Sequence, residues 1–165
     1  MMRNSPIVKK VIKVSVIILI FTILAVAAGL YLIDLSRVSS EEFGIYILEN
    51  NEPVISDNEI VWYNKTSYQI KLTEEAAKKI STLEIPVTGI PFSARIDGEE
   101  IYTGSFWVSF SSLSYSGIVV DALRIQNNTI SIDLGYPSSQ FFEGVDNRND
   151  PRLLDHFEKL GKLRQ

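Results

Sequence analysis

The hydrophobic positions of this chain form one long uninterrupted run, followed by a series of short periodic segments. The run covers residues 14–33 and contains no charged side chain. In a helix, 20 residues extend about 30 Å, which is enough to cross the hydrocarbon core of a bilayer. The pattern therefore predicts one transmembrane helix over residues 14–33, with a basic tail over 1–13 and a polar stalk over 34–42.

The charges that flank this run predict its orientation. Basic residues precede it and mainly acidic residues follow it: Arg3, Lys9, Lys10 and Lys13 before, and Asp34, Glu41 and Glu42 after. Short basic flanks stay in the cytoplasm, so the N-terminus is expected inside and the C-terminal domain outside the cell membrane. A cleaved signal peptide is the alternative, with a small-residue site at residues 25–27, but the apolar run continues past that site and favours an uncleaved anchor.

Beyond residue 42, apolar residues alternate in several short segments. This alternation predicts strands over residues 43–48, 59–63, 68–72, 91–96, 99–103, 117–120 and 130–134. Asp97-Gly98 separates two of these segments and favours a two-residue type I′ hairpin. Such a turn fixes the register and predicts three facing pairs: Ile96 with Glu99, Arg95 with Glu100, and Ala94 with Ile101.

Two segments change to the helical period. Thr73 is a predicted N-cap, and the apolar residues after it recur at helical spacing until about Leu83. Asp150 caps a second predicted helix that begins at Pro151 and stops at Gly161. The expected fold class is therefore α+β: a single transmembrane helix followed by one antiparallel-sheet domain with two helices over residues 43–165.

Charge and cysteine usage narrow the classes of partner and site. Residues 38–165 hold 11 basic and 19 acidic side chains, a net charge of about −8. An acidic domain repels phosphate backbones, so nucleic acid is not an expected partner. The chain has no cysteine, which excludes disulfides, thiolate metal sites and cysteine nucleophiles within it. An exported domain without disulfides is more typical of a prokaryotic cell surface.

A segment over residues 105–116, which combines serines with aromatic residues, is the candidate for an interaction surface. Aromatic side chains provide a large contact area at low entropic cost, and serines provide adaptable hydrogen bonds. In the alternative interpretation, Phe106, Val108 and Phe110 lie on the core face of a strand, and Trp107 lies on its outer face. The candidate surface residues are Tyr102, Phe106, Trp107, Phe110 and Tyr115.

Patterns for catalysis are weak. His156 is the only histidine and would be the base of an envelope hydrolase. No serine lies in a G-x-S-x-G nucleophile elbow, and helical spacing places His156 at the flank of its apolar stripe. We therefore expect a solvated or helix-flank histidine, and no catalytic residue or cofactor is predicted.

Two further patterns concern metal binding and glycosylation. Side chains with oxygen atoms that suit calcium cluster just before the second helix: Asp146, Asn147, Asn149 and Asp150. Their order does not match an EF-hand loop, and a turn followed by an N-cap explains the same residues. No metal site is predicted. Asn64 and Asn127 begin N-x-[ST] sequons on predicted turns and would be glycosylation sites outside the cell.

Two neighbouring segments resemble a known family. Residues 72–80 read LTEEAAKKI, and residues 89–102 read GIPFSARIDGEEIY. This order of a threonine-capped helix, a glycine-led strand, Asp-Gly-Glu and a second strand resembles the periplasmic head subdomain of SecD-type protein-export subunits. The matching positions are Thr73, Ala76, Gly89, Phe92, Asp97, Gly98, Glu99 and Ile101.

This resemblance implies an α+β head that contacts exported polypeptide. The chain also departs from the family, because full SecD subunits have several transmembrane helices and an intramembrane acidic residue for proton coupling. The single run over residues 14–33 has no ionisable group, and a proton relay needs one. Energy transduction is therefore not implied for this chain.

These patterns together predict a membrane-anchored extracytoplasmic binding module. Its anchor contacts the lipid bilayer, and its outer domain contacts a protein or peptide. The first alternative is an accessory structural subunit of a multi-span complex, since small residues in the apolar run permit close helix packing: Ala25, Ala27, Ala28 and Gly29. The second alternative is the hydrolase that would use His156.

Overall fold

The structure is a computed structural model that describes residues 42–165 and seven helical positions nearer the N-terminus: 15, 19, 20, 22–24 and 26. Among these seven, Thr22 donates a hydrogen bond from Oγ1 to the carbonyl of Leu19, at 2.8 Å. In the part of the chain that is described, no helix is long and apolar enough to span a membrane. The predicted tail, most of the predicted span and the stalk up to residue 41 lie outside the described residues.

The C-terminal unit, Glu41–Gln165, has the α+β fold class with two helices that the sequence predicts. Its elements are β1 (Phe43–Ile47), β2 (Pro53–Ser56), β3 (Ile60–Asn64), β4 (Gln69–Leu72), α1 (Glu74–Ser81), β5 (Ile90–Ile96), β6 (Glu99–Trp107), β7 (Tyr115–Asp121), β8 (Thr129–Ser131), β9 (Asp133–Tyr136), α2 (Pro151–Lys159) and β10 (Leu163–Arg164). Short 3-10 turns cover Asp57–Glu59 and Ser139–Phe141. The sequence patterns did not predict β2 or β10.

The strands form two mixed sheets, so the expectation of one antiparallel sheet is wrong. The six-stranded sheet has the order β2-β1-β5-β6-β7-β9, and the four-stranded sheet has the order β10-β3-β4-β8. β6 and β7 are parallel because the chain between them returns to the starting end of β6 before it enters β7. β10 is parallel to β3 because the chain that leaves α2 runs alongside β3 in the same direction.

The hairpin at Asp97 and Gly98 forms as predicted near its turn. Both turn residues have positive φ, +52° and +79°, as a type I′ turn requires. The two facing pairs nearest the turn are confirmed. The third expected pair, Ala94 with Ile101, is wrong because a β-bulge after Ala94 places this residue opposite Tyr102. The bulge therefore brings Tyr102 to the core face of β6.

Both helices begin at the predicted caps. Thr73 Oγ1 accepts a hydrogen bond from the backbone N–H of Ala76, at 3.3 Å. The Asp150 carboxylate accepts one from the N–H of Arg152, at 2.9 Å, with proline at the first helical position. Gly161 follows α2 with φ of +68°, a conformation that glycine adopts without strain.

One predicted strand, over residues 130–134, is divided between the two sheets. Its first part, β8, pairs with β4, and its second part, β9, pairs with β7. Ile132 is buried between the two parts, and its N–H donates to the carbonyl of Tyr68, at 2.9 Å. The chain therefore passes from one sheet to the other within a single residue.

One hydrophobic cluster takes side chains from both sheets and both helices. Phe157 of α2 connects them, since its ring centroid lies 5.2 Å from that of Phe43 in β1 and 5.3 Å from that of Tyr63 in β3. Burial of each large apolar side chain contributes roughly 1.5–3 kcal/mol. Three further buried hydrophobic side chains lie outside this cluster: Trp107 and Val119, on the opposite face of the six-stranded sheet, and Val108, directly after β6.

Candidate interaction surface

The connection from β6 to β7 crosses back over the six-stranded sheet. The two strands are parallel neighbours, and residues 108–114 are the whole connection between them. Parallel neighbours usually need a crossover of a dozen or more residues that contains a helix. Here the connection is short and irregular, so it must run across the face of the sheet in a single pass. We call residues 108–114 the crossover loop.

Trp107 lies under this loop and is only 2% exposed. Its ring centroid is 5.3 Å from that of Tyr115, in a stacked arrangement, and 5.8 Å from that of Tyr136. Gly89, with φ of +78°, packs so closely that any Cβ there would collide with the Trp107 ring. Trp107 therefore lies on the outer face of β6, as the alternative interpretation expects, but the loop and these neighbours cover that face, so its side chain is not available to a partner.

Hydrogen bonds fix the crossover loop on both sides of its aromatic residue. The Tyr136 hydroxyl donates to the carbonyl of Ser109 at 2.8 Å, and also contacts the carbonyl of Ser111 at 3.2 Å. Ser111 Oγ donates to the carbonyl of Val87, at 2.7 Å. Phe110 lies between these anchor points, so its backbone is held in place while its side chain points away from the sheet.

The surface of the loop is apolar and uncharged. Phe110 is 69% exposed, and Leu113 and Val87 are each about half exposed. We call these three residues the crossover patch. Neither the loop nor residues 86–89 contain a charged side chain, although the domain as a whole is acidic. An exposed aromatic side chain on a fixed backbone binds a partner with little loss of conformational entropy.

The other candidate surface residues lie in different places. Tyr102 and Phe106 belong to the main hydrophobic cluster, and Tyr115 is half-buried against Trp107. Only Phe110 of the five is freely exposed, so they do not form one continuous surface. Alternation predicts Phe110 on the same strand face as Phe106. β6 ends at Trp107, however, so the alternation of residues beyond Trp107 does not predict which way their side chains point.

Replacing Tyr136 with phenylalanine is expected to loosen the crossover loop without unfolding the domain. The change removes the one hydroxyl proton that two loop carbonyls share, and a hydrogen bond of this kind contributes about 1 kcal/mol. Hydrogen–deuterium exchange should therefore become faster in residues 108–114. Tyr115→Phe is the matched control, because this second ring on Trp107 has a hydroxyl without a hydrogen bond in the described structure. Equal exchange in the two variants would contradict the anchoring role of Tyr136.

His156 is buried, so the expectation of a solvated position is wrong. The residue is 2% exposed, and its Nε2 lies 2.9 Å from Oδ1 of Asp57. The other carboxylate oxygen of Asp57 accepts a hydrogen bond from the N–H of Phe43, at 2.7 Å. Among the described residues, no side chain besides Asp57 hydrogen-bonds the ring. This arrangement joins α2 to β1 and offers no nucleophile, so the geometry is that of a structural pair.

The carboxylates of the oxygen-rich segment before α2 form ion pairs with arginines of this protein. The carboxylates of Asp146 and Asp150 each pair with the arginine two residues later, at 2.8 and 2.9 Å. Hydrogen bonds from Arg148 and Arg152 hold the pKa of these two carboxyls below its usual range. Within residues 42–165 and the described N-terminal positions, no group of three or more His, Cys, Asp or Glu is placed to hold a metal.

The two sequon asparagines differ in their surroundings. Asn64 is partly buried, and its Nδ2 donates to the carbonyl of Gln165, at 3.0 Å. Asn127 is exposed at a turn, with φ of +49°. Glycosylation at either position stays a prediction.

No protein-family model, curated protein or solved structure matches this chain. The resemblance to SecD-type head subdomains therefore stays a prediction from the motifs that carry it.

Proposed function

We propose that this protein is a membrane-anchored extracytoplasmic binding module, and that its crossover patch contacts a protein or peptide. Residues 14–33 are the proposed single transmembrane anchor, with the N-terminus in the cytoplasm and the C-terminal domain outside. The anchor keeps the domain near the membrane, and the domain provides the contact. This role requires no cofactor and no catalytic residue.

The observation that carries the proposal is the state of Phe110. Its ring is 69% exposed, while hydrogen bonds on both sides fix the backbone that presents it. A soluble surface gains nothing from holding an aromatic side chain in water, whereas an interface uses such residues as anchors. The uncharged surroundings also favour contact, because no charge has to lose its hydration when a partner covers the patch.

The motif resemblance supports the same type of partner. The segments similar to SecD-type heads form α1 and the β5–β6 hairpin, and β6 leads directly into the crossover loop. The resemblance implies contact with polypeptide, which agrees with an apolar patch at the end of β6.

Strand addition at a sheet edge is a less favourable mode of binding for this domain. Residues 138–142 fold back against Gly135 in β9, one edge strand of the larger sheet. The edge strands of the smaller sheet, β8 and β10, contain three and two residues. A peptide strand needs a longer free edge to form a ladder of main-chain hydrogen bonds.

The proposal predicts site-specific crosslinking at position 110. A photo-crosslinking amino acid at Phe110 of the full chain, in intact membranes, is expected to give a discrete polypeptide adduct. The same amino acid at Val145 is the control, because Val145 is 77% exposed on a different loop. A Leu113→Ser change in the same chain should reduce the yield of the Phe110 adduct several-fold, since it removes apolar contact area from the patch.

Three outcomes would count against the proposal. The first is a similar pattern of adducts from positions 110 and 145, which would indicate random collision. The second is an adduct of lipid alone at position 110, which would indicate that the patch lies on the bilayer. The third is an unchanged yield after Leu113→Ser.

A further inference from the structure

The outer face of the four-stranded sheet forms the floor of a polar cleft. Trp62 alternates along β3 with the buried Tyr63, so its indole lies on the outer face, where it is partly exposed. Gln69 and Ser131 face each other on the neighbouring strands β4 and β8. The floor therefore carries one aromatic ring next to amide and hydroxyl groups.

Residues at the ends of β7 and β9 form the wall of this cleft. Asp121 ends β7, Arg124 follows it, and Asp133 begins β9. Two cavities of about 530 and 370 Å³ share these three residues in their linings, so they adjoin at this wall, and we call the two halves together the cleft. Each half has a volume in the range of small-molecule binding sites.

The charged side chains of the wall differ in how many ion pairs and hydrogen bonds they make within the protein. Asp121 is buried, and its carboxylate pairs with Arg124 Nε at 3.2 Å and accepts the N–H of Leu123 at 3.0 Å. The positive charge of Arg124 is therefore balanced by the negative charge of Asp121. The Asp133 carboxyl makes no hydrogen bond to any residue that the structure describes, and partial desolvation raises its pKa. Asp133 is thus a free acceptor at the rim of the cleft.

We propose that this cleft binds a neutral oligosaccharide, with one sugar ring stacked on Trp62 and sugar hydroxyls hydrogen-bonded to Asp133 and Gln69. A sugar ring has an apolar C–H face that suits an indole, and its hydroxyls both donate and accept hydrogen bonds. The two adjoining halves offer room for several linked sugars rather than one. The proposal is independent of the crossover patch, because the cleft and the patch share no residue.

The lining favours this class of ligand over two others. In the larger half, Trp62 is the one apolar side chain among the residues that line it, whereas a peptide site needs several apolar pockets. An anionic polymer would be repelled by a domain with a net charge of about −8. A neutral polyol requires neither apolar pockets nor a positive surface.

The test is calorimetric titration of the full chain in a detergent without a sugar headgroup. The probes are pentamers of glucose and of N-acetylglucosamine, with a galacturonate pentamer as the anionic comparison. At least one neutral pentamer is expected to bind with a dissociation constant of about 1 mM or lower. Trp62→Ala should weaken this binding about tenfold, and Asp133→Ala several-fold. Leu123→Ala is the control, because Leu123 is exposed beside the cleft but does not line it.

The proposal is overturned if no neutral pentamer binds at about 10 mM, if Trp62→Ala binds as tightly as the unchanged protein, or if galacturonate binds more tightly than the neutral sugars. Circular dichroism of each variant shows whether the fold is kept. The two proposals also fail separately: Trp62→Ala should keep the crosslink at position 110, and Phe110→Ala should keep saccharide binding.

Discussion

Asp57→Ala is expected to lower the free energy of unfolding by about 3 kcal/mol. The Asp57 carboxylate accepts hydrogen bonds from two groups of different elements, the ring of His156 in α2 and the N–H of Phe43 in β1. Removal of the carboxylate leaves a histidine ring that is 2% exposed without its partner. An unpaired buried polar group costs more than the original hydrogen bond contributed, because it has lost water without a replacement.

Urea unfolding of the full chain in mild detergent, followed by tryptophan fluorescence, measures this loss. The double variant Asp57→Ala/His156→Leu should lose at least about 1 kcal/mol less than the sum of the two single changes, because it removes both polar partners together. Asp155→Asn is the control on the same helix, since its ion pair with Lys159 is exposed and should contribute less than about 1 kcal/mol. If the losses from Asp57→Ala and His156→Leu simply add in the double variant, the two side chains are not energetically coupled.

Arg148→Met is expected to cause a loss of similar size, about 3 kcal/mol near neutral pH. The guanidinium is largely buried, with the residue 7% exposed, and it has three partners. It donates to the carbonyl of Ile132 at 2.7 Å, pairs with Asp146 at 2.8 Å, and lies 3.6 Å from the centroid of the Tyr68 ring. Methionine fills much of the space but removes the donor of the Ile132 carbonyl, and it leaves the Asp146 carboxylate with only the backbone N–H of residue 148, at 3.1 Å.

The cost of Arg148→Met should also depend on pH. Hydrogen bonds from Arg148 hold the pKa of Asp146 below the value of about 3.9 that an unfolded chain has. A lowered folded-state pKa stabilises the fold above the unfolded value, and this contribution is lost as the pH falls through the folded value. Arg148 also lowers the otherwise raised pKa of Asp133, which acts in the same direction. The difference between variant and unchanged protein should therefore shrink below about pH 4.

Arg152→Met provides a matched control for this prediction. Arg152 makes the same two-residue pair with Asp150, at 2.9 Å, but its side chain is half exposed. Solvent screens this pair, so its loss should cost clearly less at neutral pH than the loss of the Arg148 pair. Chemical denaturation at pH 7 and pH 3 compares the two variants. Equal losses for Arg148→Met and Arg152→Met would show that burial adds nothing to the Arg148 pair.

Local signals in the sequence predicted local structure well. Thr73, Asp150 and the Asp97-Gly98 turn act on neighbours within four residues, so the residue types alone specify the caps and the hairpin. The strands over residues 43–48 and 68–72 were also recognised, because one side of each faces the core. These predictions needed no knowledge of the rest of the chain.

Contacts between distant residues could not be predicted in this way. His156 is buried because it meets Asp57, which lies 99 residues earlier in the chain. Trp107 is buried because the connection after β6 crosses the sheet, a path that no local pattern specifies. The residues of the proposed cleft come from five strands and two connecting segments, so their proximity has no counterpart in sequence spacing. Phe110 was recognised as a surface candidate from the aromatic and serine residues of its segment, whereas its actual exposure follows from the end of β6 at Trp107.

The passage of the chain from one sheet to the other at Ile132 has a consequence for how the domain comes apart. Because β8 and β9 are continuous, neither sheet can separate without pulling the other out of register within one residue. Neither sheet of the C-terminal unit is therefore expected to unfold alone, and the unit should unfold in one cooperative transition rather than in stages.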